Sequence, residues 1–526
     1  MCCTGLPHVS LAQQPAAEIP SPRFTINRFE LAGGTLIPAQ DLERLVAPFT
    51  GPGKDFGDVQ RALDAVEQAY RARGYGVVRV LLPEQDITQG VVRFQVLEPR
   101  VGQVVIEGNN FFDADNIRRS LPSIKEGETP NSNAMSRNLQ VLGEHPTKQT
   151  SLTLRPGASD EQIDVGVKIT DEKPLRYFFT LDNTGTGDTG YYRTGFGFQH
   201  SNLFNRDHTL TGQYVTSPTQ ISDVTILGLG YRIPFYGLNS TLDLVAGYSD
   251  VDSGTVQSLG GAFNVTGSGT IAAIRWNYFL PRWHEIEQKI SLSLDYRAFK
   301  NEVTFQGQNQ VPDITIHPVG LTYSALRRFA TAETSFYAGL SRNIPGGNDG
   351  DGEAFERQNF GGRAEANSNY TIFRAGGNYV QSLPGDWQAR AAVNMQYTSD
   401  NLVAGEQFGI GGPDSVRGYL VRELSGDRGW QSQLEMYTPD VAARFGLQDA
   451  YRMRFLAFYD YGHVRDNDPP RNPLQTQDSI YSIGLGMRMS YKKLLTLRLD
   501  LAQIMQATTA RDNDSLRVTG ALAVVF

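Results

Sequence analysis

The sequence predicts two small α+β modules followed by an all-β transmembrane barrel of about sixteen antiparallel strands. Strands in the second part of the chain alternate apolar and polar residues over about ten positions and end in aromatic residues, as membrane-spanning strands do. The 526 residues include 54 glycines and 23 tyrosines, and no apolar run approaches the roughly 18 residues that a transmembrane helix needs. Before the barrel, the order strand, helix, helix, strand, strand occurs twice.

Residues 1–23 are predicted to be a leader and linker. Residues 10–14 look like the end of a secretory signal, although the positively charged start and full apolar core are missing. We expect that the sequence begins within such a signal, and a disordered tail is the alternative. Both cysteines, Cys2 and Cys3, lie in this leader, which suits an oxidising envelope compartment for the thiol-free remainder.

Residues 24–99 form the first predicted module, whose second helix is its clearest element. Asp55 or Asp58 can cap this helix and Gly74 can end it. Its apolar face consists of Val59, Ala62, Leu63, Val66 and Tyr70. Two strands are expected after the helix, at 77–82 and 91–97.

Residues 100–174 form the second predicted module, because the same order of elements recurs within about 75 residues. The expected strands cover 104–107, 152–155 and 162–170, and the short helices cover 113–121 and 133–142.

Residues 175–526 are predicted to form the barrel, because the helical pattern ends after Pro174. Short and long connections alternate, as expected when periplasmic turns are short and surface loops are long. The candidate turns carry Pro234, Pro281, Pro384 and Pro439, and the candidate surface loops cover 184–190, 249–266, 301–313, 343–368, 400–428 and 465–478. A barrel of sixteen strands encloses a water-sized channel rather than a packed core, so something must close it.

The last eleven residues predict the closing strand of the barrel. They place Leu516, Val518, Gly520, Leu522, Val524 and Phe526 on one face, and the chain ends at the aromatic residue. We expect Val518, Leu522, Val524 and Phe526 to form the closing and assembly signal.

Two charged residues need an explanation in a membrane barrel. Asp460 lies in an alternating strand and must face the lumen, because a carboxylate turned toward lipid costs free energy. Arg417 lies in a glycine-rich connection of about 30 residues, far longer than the typical connection. A guanidinium binds a carboxylate in a planar, two-pronged geometry, so Arg417 could hold the loop against Asp460. A pair that only braces the loop is the alternative.

Several function classes have little support in the sequence. The net charge of −8 argues against a nucleic-acid partner, and the seven histidines are too scattered for a metal site. Gly185-x-Gly187-x-x-Gly190 matches a dinucleotide fingerprint but precedes a predicted strand instead of a helix. Asp349 and Asp351 leave calcium as a minor alternative. No catalytic constellation is present, so we expect neither an enzyme nor a cofactor.

Several motifs allow a comparison with known families. They are Asn138-Leu139-Gln140-Val141-Leu142, Leu154-Arg155-Pro156-Gly157, Leu181-Asp182-Asn183-Thr184-Gly185, Gly411-Gly412 with Val416-Arg417-Gly418-Tyr419, and Phe458-x-Asp460-x-Gly462. The last two motifs are specific at this spacing. With them, residues 24–526 resemble the outer-membrane transporters of two-partner secretion, of the filamentous haemagglutinin and haemolysin secretion/activation type, which combine POTRA modules with a 16-stranded barrel.

The resemblance implies the roles of several residues. Loop 400–428 is expected to fold into the barrel, with Gly411, Gly412, Val416, Arg417, Gly418 and Tyr419 as its gating residues. Phe458, Asp460 and Gly462 form the partner on the inner wall. Packing is the more plausible role for Tyr419 and Phe458. Members often begin with a plug helix, and we do not expect a complete plug here.

The resemblance also implies a location and partners. The barrel lies in the outer membrane of a Gram-negative cell and the POTRA modules lie in the periplasm. There they bind an unfolded exoprotein, of adhesin or haemolysin type, which crosses the barrel without ATP. Exposed strand edges suit such a client, because β-augmentation supplies affinity through main-chain hydrogen bonds. Outer-membrane lipid and, during biogenesis, the barrel assembly machinery are the other expected partners.

Two other functions stay open at this point. A barrel assembly factor uses the same superfamily architecture, although such factors usually carry three to five POTRA modules by family resemblance. A passive porin is less plausible, since it needs no periplasmic modules for a client.

Overall fold

The computed structural model describes residues 22–87, 89–187, 189–250, 254–258, 261–265, 268–300, 304–305, 308–309, 313–357, 366–468, 478–508 and 512–526. The predicted leader therefore lies almost wholly outside the described residues, as do parts of the predicted loops 249–266, 301–313, 343–368 and 465–478. The chain divides into two compact units. One comprises Met1–Val104, Ile124–Ser132 and Leu154–Val165, and the other comprises Val105–Ser123, Asn133–Thr153 and Gly166–Phe526.

The first seven elements belong to the first unit and contain a small α+β fold. They are β1 (Phe24–Ile26), β2 (Arg28–Ala32), α1 (Ala39–Val46), β3 (Gly51–Lys54), α2 (Phe56–Ala72), β4 (Arg79–Leu81) and β5 (Val91–Leu97). The strands β2, β5 and β4 form a sheet in that order, with β2 parallel and β4 antiparallel to β5. Its helices pack against the sheet around a core that includes Val59, Ala62, Val66 and Tyr70.

Helix α2 begins and ends as its sequence suggests. The side chain of Asp55 accepts a hydrogen bond from the backbone N–H of Asp58, and the Asp58 side chain accepts one from Asp55, both at 3.1 Å. This reciprocal capping box satisfies two backbone donors that the first helical turn leaves unpaired. Gly74 follows the helix with φ +91°, a conformation that glycine adopts without steric cost.

The same order of elements follows in residues 100–171. They are β6 (Arg100–Glu107), α3 (Ala114–Ser120), α4 (Ser132–Gly143), β7 (Lys148–Pro156) and β8 (Gln162–Asp171), with a sheet in the order β6, β8, β7. Strands β6 and β7 each begin about four residues earlier than predicted. Their first residues are largely polar, so the apolar pattern used for the prediction starts only further along each strand.

The barrel elements begin at residue 175. They are β9 (Leu175–Asp182), β10 (Arg193–Leu203), β11 (His208–Thr216), β12 (Thr225–Phe235), β13 (Ser240–Asp250), β14 (Gly254–Ser258), β15 (Gly261–Val265), β16 (Ser268–Trp283), β17 (Ile286–Lys300), β18 (Thr304–Phe305), β19 (Gln308–Asn309), β20 (Ile314–Ile316), β21 (Pro318–Arg328), β22 (Ala332–Asn343), α5 (Gly352–Arg357), β23 (Thr371–Leu383), β24 (Trp387–Tyr397), β25 (Phe408–Ile410), β26 (Leu424–Gly426), β27 (Arg428–Tyr437), β28 (Tyr451–Arg465), β29 (Ser479–Tyr491), β30 (Leu495–Ile504) and β31 (Leu516–Val525).

The barrel is closed and antiparallel. Strands β20 and β21 both pair with β17 and form one strand interrupted at His317, so the described residues form a sixteen-stranded barrel. Closure comes from β31, which pairs with β9 from Ala521 opposite Asp182 to Val525 opposite Phe178. The predicted fold class, α+β elements followed by a closed barrel of sixteen antiparallel strands, is confirmed.

The strands alternate as a membrane barrel requires. Leu292, Leu294 and Leu485 are exposed on the outer face, whereas Asp460 and Asp500 are buried inside. Two of the expected turns are wrong in detail, because Pro234 and Pro281 lie within β12 and β16 near their periplasmic ends. Among the described residues, none of the helices is long and apolar enough to cross a membrane.

Candidate functional site

The long connection between β24 and β27 turns into the barrel. It contains a short 3-10 helix, Ala404–Glu406, and the hairpin formed by β25 and β26. Six side chains from this connection and from the barrel wall form a buried apolar cluster. They are Ile410, Val416, Tyr419, Val464, Ile480 and Ile504. The connection, which we call the lumenal loop (residues 400–428), is therefore packed against the inner wall.

Arg417 contacts the wall residue Asp460 through three hydrogen bonds. Its Nε donates to Asp460 Oδ2 and its Nη2 donates to Oδ1, both at 2.6 Å. The Arg417 backbone N–H also donates to Oδ2 at 3.1 Å. Both side chains are fully buried. The two-pronged contact fixes the orientation of the guanidinium as well as its distance from the strand.

Two further wall carboxylates surround the Arg417 guanidinium. Nη1 donates to Glu435 Oε1 of β27 at 2.8 Å and lies 3.6 Å from Asp500 Oδ1 of β30. The guanidinium carbon lies 3.6 Å from the centre of the Phe458 ring, which gives a cation–π contact on one face. Arg417 thus joins side chains from three wall strands.

Additional arginines balance the wall carboxylates. Arg390 contacts Glu435, and Arg488 and Arg498 contact Asp500, each at 2.8 Å. Burying a charge is costly unless opposite charges and hydrogen bonds compensate it. We call this set of charges the Arg417 cluster. Its members are Arg390, Arg417, Glu435, Asp460, Arg488, Arg498 and Asp500. Loss of any one member would leave an opposite charge without one of its partners.

The rest of the predicted inner-wall motif shapes the contact surface. A Cβ atom on Gly462 would lie 3.0 Å from side-chain atoms of both Ile410 and Val416. Glycine at this position allows the lumenal loop to approach β28 closely. The Tyr419 hydroxyl lies 3.1 Å from the carbonyl oxygen of Tyr481 and 2.8 Å from that of Gln506.

The predicted glycines shape the turn of the lumenal loop. Gly411, Gly412 and Gly418 have φ of +109°, +99° and +95°, values that strain residues with a side chain. At Gly411 a Cβ atom would also lie 2.4 Å from the carbonyl oxygen of Leu420. The turn that presents Arg417 to Asp460 thus requires glycine.

The predicted closing residues lie in and beside the last strand. Leu522 and Val524 pair with Leu181 and Phe179 of β9, whereas Val518 pairs with Leu501 of β30. The Phe526 backbone N–H donates to the Tyr177 carbonyl at 2.8 Å, while its side chain is 70% exposed. The main chain of Phe526 thus extends the ladder, and its aromatic ring contributes little packing.

Sequence reasoning did not single out Glu435 and Asp500 as partners of Arg417. Asp500 and Glu435 occupy inward positions of β30 and β27. A search for acidic residues at inward positions of neighbouring strands could have found both.

Sequence reasoning also missed a buried polar joint between the second set of α+β elements and the barrel. Asp207, in the turn between β10 and β11, accepts hydrogen bonds from Lys148 Nζ and from the Tyr236 hydroxyl, both at 2.6 Å. Asn116 of α3 donates to the same carboxylate at 2.8 Å. These buried contacts fix α3 and β7 to two periplasmic turns.

His145 lies beside this joint in its neutral form. Burial lowers the pKa of His145 to about 4, even though the Asp207 carboxylate lies 3.7 Å away and acts in the opposite direction. Nε2 donates to the Ser201 carbonyl at 2.9 Å, and Nδ1 accepts from the Thr147 N–H at 3.3 Å. A proton on Nδ1 would oppose that N–H.

No group of three or more possible metal ligands occurs in the part of the chain that the structure describes. The Arg417 cluster contains arginines alongside its carboxylates, so Glu435, Asp460 and Asp500 are already compensated by protein cations.

Comparisons with known proteins agree with this architecture. A family model described as haemolysin secretion/activation protein ShlB/FhaC/HecB matches residues 161–489, and one described as POTRA domain, ShlB-type, matches residues 24–99. The outer membrane transporter CdiB of Escherichia coli is 23% identical over 474 residues, which cover 88% of this chain and 76% of CdiB. The heme/hemopexin transporter protein HuxB of Haemophilus influenzae is 20% identical over 460 residues, with coverages of 86% and 78%.

Two solved structures show the same fold. CdiB from Escherichia coli matches with a TM-score of 0.77 at 19% identity, and the match covers 98% of this chain and 93% of the CdiB chain. CdiB from Acinetobacter baumannii matches with a TM-score of 0.72 at 16% identity, with coverages of 96% and 90%. The family predicted from the motifs is confirmed. Because the family model spans more than half of the 526 residues, the chain belongs to the haemolysin secretion/activation family, the outer-membrane transporters of two-partner secretion.

Proposed function

We propose that this outer-membrane transporter binds one unfolded exoprotein in the periplasm and exports it through its own barrel without ATP. The observation that carries the proposal is the docked lumenal loop, which joins three strands of a closed barrel through Arg417. A loop held inside a wide barrel by a few specific charges closes the channel at rest and opens it when those contacts break.

The proposed division of labour follows the predicted domains. Residues 24–99 and 100–174 act as POTRA modules that receive the client, and residues 175–526 act as the conduit. The lumenal loop is the gate, with Gly411, Gly412, Val416, Arg417, Gly418 and Tyr419 on the loop and Phe458, Asp460 and Gly462 on the wall. Val518, Leu522, Val524 and Phe526 are the proposed signal for the barrel assembly machinery.

Sheet edges support the proposed role of the modules. In the orders β2, β5, β4 and β6, β8, β7, the outer strands have one edge without a neighbouring strand among the described residues. An extended peptide can add to such an edge through main-chain hydrogen bonds, which demand little of its sequence. Val105 on β6 and Leu154 on β7 are 42% and 37% exposed and offer apolar contacts there.

The proposed client is a large secreted protein of adhesin or haemolysin type. One relative, CdiB, is named an outer membrane transporter, and another, HuxB, is named a heme/hemopexin transporter protein. Outer-membrane lipid surrounds the barrel in this proposal, and nucleic acid is not a partner.

A strain without this chain provides the test. We expect one large exoprotein to disappear from the medium and to accumulate in the periplasm, and restoring the chain should reverse this. Levels of unrelated outer-membrane barrels should stay normal. A joint fall of many barrels would instead favour an assembly factor, and loss of small-solute uptake alone would favour a porin.

A further inference from the structure

The lumenal loop carries a buried acid that is separate from the Arg417 cluster. Glu406 ends the short 3-10 helix Ala404–Glu406, and its side chain has no exposed surface. The sequence gives no hint of this, because the segment around Glu406 is short, glycine-containing and without periodicity. A fully buried carboxylate is costly unless cations compensate it.

Two arginines of the barrel wall compensate Glu406. Arg297 of β17 donates from Nη1 to Oε1 at 2.5 Å, and Arg374 of β23 donates from Nη2 to Oε2 at 3.0 Å. Each carboxylate oxygen thus has its own arginine. The backbone carbonyl of Glu406 also accepts from the Gln396 amide at 2.9 Å, so both the side chain and the main chain are attached to the wall.

The loop itself braces this attachment. Arg422, on the returning arm of the lumenal loop, donates from Nη2 to the carbonyls of Ala404 at 3.2 Å and Gln407 at 2.9 Å. These two carbonyls flank Glu406. The 3-10 helix is therefore held to the other arm of the loop, and pulling on Glu406 transmits force to the segment that follows Arg417.

The two attachments have opposite polarity and contact different sectors of the wall. At the Arg417 cluster a loop cation meets wall anions on β27, β28 and β30. At Glu406 a loop anion meets wall cations on β17 and β23. In the barrel order, the nearest strands of the two sets, β23 and β27, are separated by β24.

We propose that Glu406 is a second anchor of the gate, and that the lumenal loop leaves the wall only when the Glu406 contacts and the Arg417 contacts have both been broken. Glu406 is a positioning residue, since it acts by holding the loop. The inference rests on the proposed gating role of the loop. A cationic segment of client can take the place of Arg417 on the wall but not that of Glu406, and an anionic segment the reverse. A single charged stretch of client therefore does not replace both loop side chains.

The test is the opening frequency of the purified full chain in planar lipid bilayers. The variants are Glu406→Gln, Arg417→Ala and the double variant. Two anchors that must both break contribute additively to the free energy of opening. We therefore expect Glu406→Gln to raise the open fraction about tenfold or more, the ratio that corresponds to about 1.4 kcal/mol. The double variant should show the product of the two single effects.

Glu423→Gln is the matched control. Glu423 is another carboxylate of the same loop. It accepts hydrogen bonds from the Leu420 backbone N–H at 2.6 Å and from the Thr508 hydroxyl, two neutral groups that an amide side chain can also bind. The removal of its charge should leave the open fraction at the wild-type level, which separates the anchor from a general effect of charge.

The outcomes distinguish the anchor from the gate. If Arg417→Ala raises the open fraction and Glu406→Gln does not raise it in either background, the second anchor is wrong and the gating role of the loop stands. If neither variant changes the open fraction, both the gating role and the second anchor are wrong. Assembly is checked by the heat-dependent gel mobility of the barrel. Should Glu406→Gln fail to assemble, Arg374→Gln replaces it, because that guanidinium is partly exposed and the same increase is expected.

Discussion

At the scale of single residues, Arg417 meets a demand that lysine cannot meet. Two of its nitrogens bind the two oxygens of Asp460 while a third binds Glu435. An ammonium group lacks this fixed fork and would have to divide its donors among less favourable directions. The shape of the guanidinium, and not only its charge, therefore sets how the lumenal loop docks.

Replacing Arg417 with alanine should weaken the attachment of the loop while the barrel remains inserted. The change leaves Asp460 buried beside Glu435 and Asp500, and breaking a buried ion pair in this way costs about 3 kcal/mol. We expect reduced export of the exoprotein and a higher open fraction in planar bilayers, with Arg417→Lys between alanine and wild type.

Asp460 provides the control for this prediction. In an Arg417→Ala background, Asp460→Asn removes the uncompensated charge, so the double variant should be less disturbed than the sum of the single variants. Wild-type secretion by Arg417→Ala would show that the pair only braces the loop.

His145 predicts a pH dependence of the joint between the second α+β elements and the barrel. The pKa of this histidine falls from 6.5 to about 4 because the site is buried. The stability that its neutral form supports is complete above about pH 6.5 and is lost as the pH falls toward 4, because the unfolded state binds the proton first. The loss amounts to about 3 kcal/mol at low pH.

Hydrogen–deuterium exchange measures this loss. Protection factors for residues 144–150 should fall between pH 6.5 and pH 4.5 in the wild type. In His145→Gln, which keeps a donor and an acceptor but cannot be protonated in this range, the fall should be smaller. Equal pH profiles for the two proteins would place the titrating group elsewhere.

At the scale of elements, a variant at the end of the last strand allows the assembly of the barrel and its stability to be measured separately. Phe526 contributes two main-chain hydrogen bonds with Tyr177, and its ring is mostly exposed. Phe526→Ala keeps the main chain, so the assembled barrel should be as stable as the wild type, within about 0.5 kcal/mol. If the ring is read during biogenesis, the yield of assembled barrel in the outer membrane should fall severalfold.

Gel mobility after graded heating gives the stability, and pulse labelling gives the rate of assembly. Leu516→Ala is the matched comparison, since its side chain is similarly exposed on the same strand face. A slow assembly of both variants would mean that apolar surface, and not the terminal ring, is recognised.

The sequence was most informative about elements with a clear period. Strand β5 has the predicted bounds, and the capping box of α2 follows from Asp55 and Asp58. Alternation also predicted the barrel and the inward direction of Asp460. The short hairpin of β25 and β26 and the interruption at His317 have no periodic signal, because tertiary contacts with the wall decide them.

The site was less accessible than the fold. Arg417 and Asp460 were identified because each charge stood in an unusual setting. Glu406, Arg297 and Arg374 looked like ordinary charges of a loop and of lumenal strand faces. Their meeting depends on how a loop crosses a barrel, and local sequence carries no information about contacts between residues more than 100 positions apart in the chain.

At the scale of the whole molecule, the first compact unit has its own apolar core. A chain that lacks residues 24–99 should therefore still assemble its barrel. The test ligand is the exoprotein that accumulates in the periplasm of the strain without this chain. If β-augmentation at this module supplies affinity, the truncated chain should bind that exoprotein at least about tenfold more weakly.

Binding to immobilised transporter measures this affinity. Wild-type affinity after deletion would place client recognition in residues 100–174.

The apolar cluster between the lumenal loop and the wall makes the free energy of opening depend on temperature through a change in heat capacity. Withdrawal of the loop brings Ile410, Val416 and Tyr419, together with the wall residues beneath them, into contact with water. Hydration of apolar surface raises the heat capacity, so the free energy of opening follows a curve with a maximum instead of a straight line against temperature. The closed state is therefore most stable at one temperature, and the open fraction rises at both lower and higher temperatures.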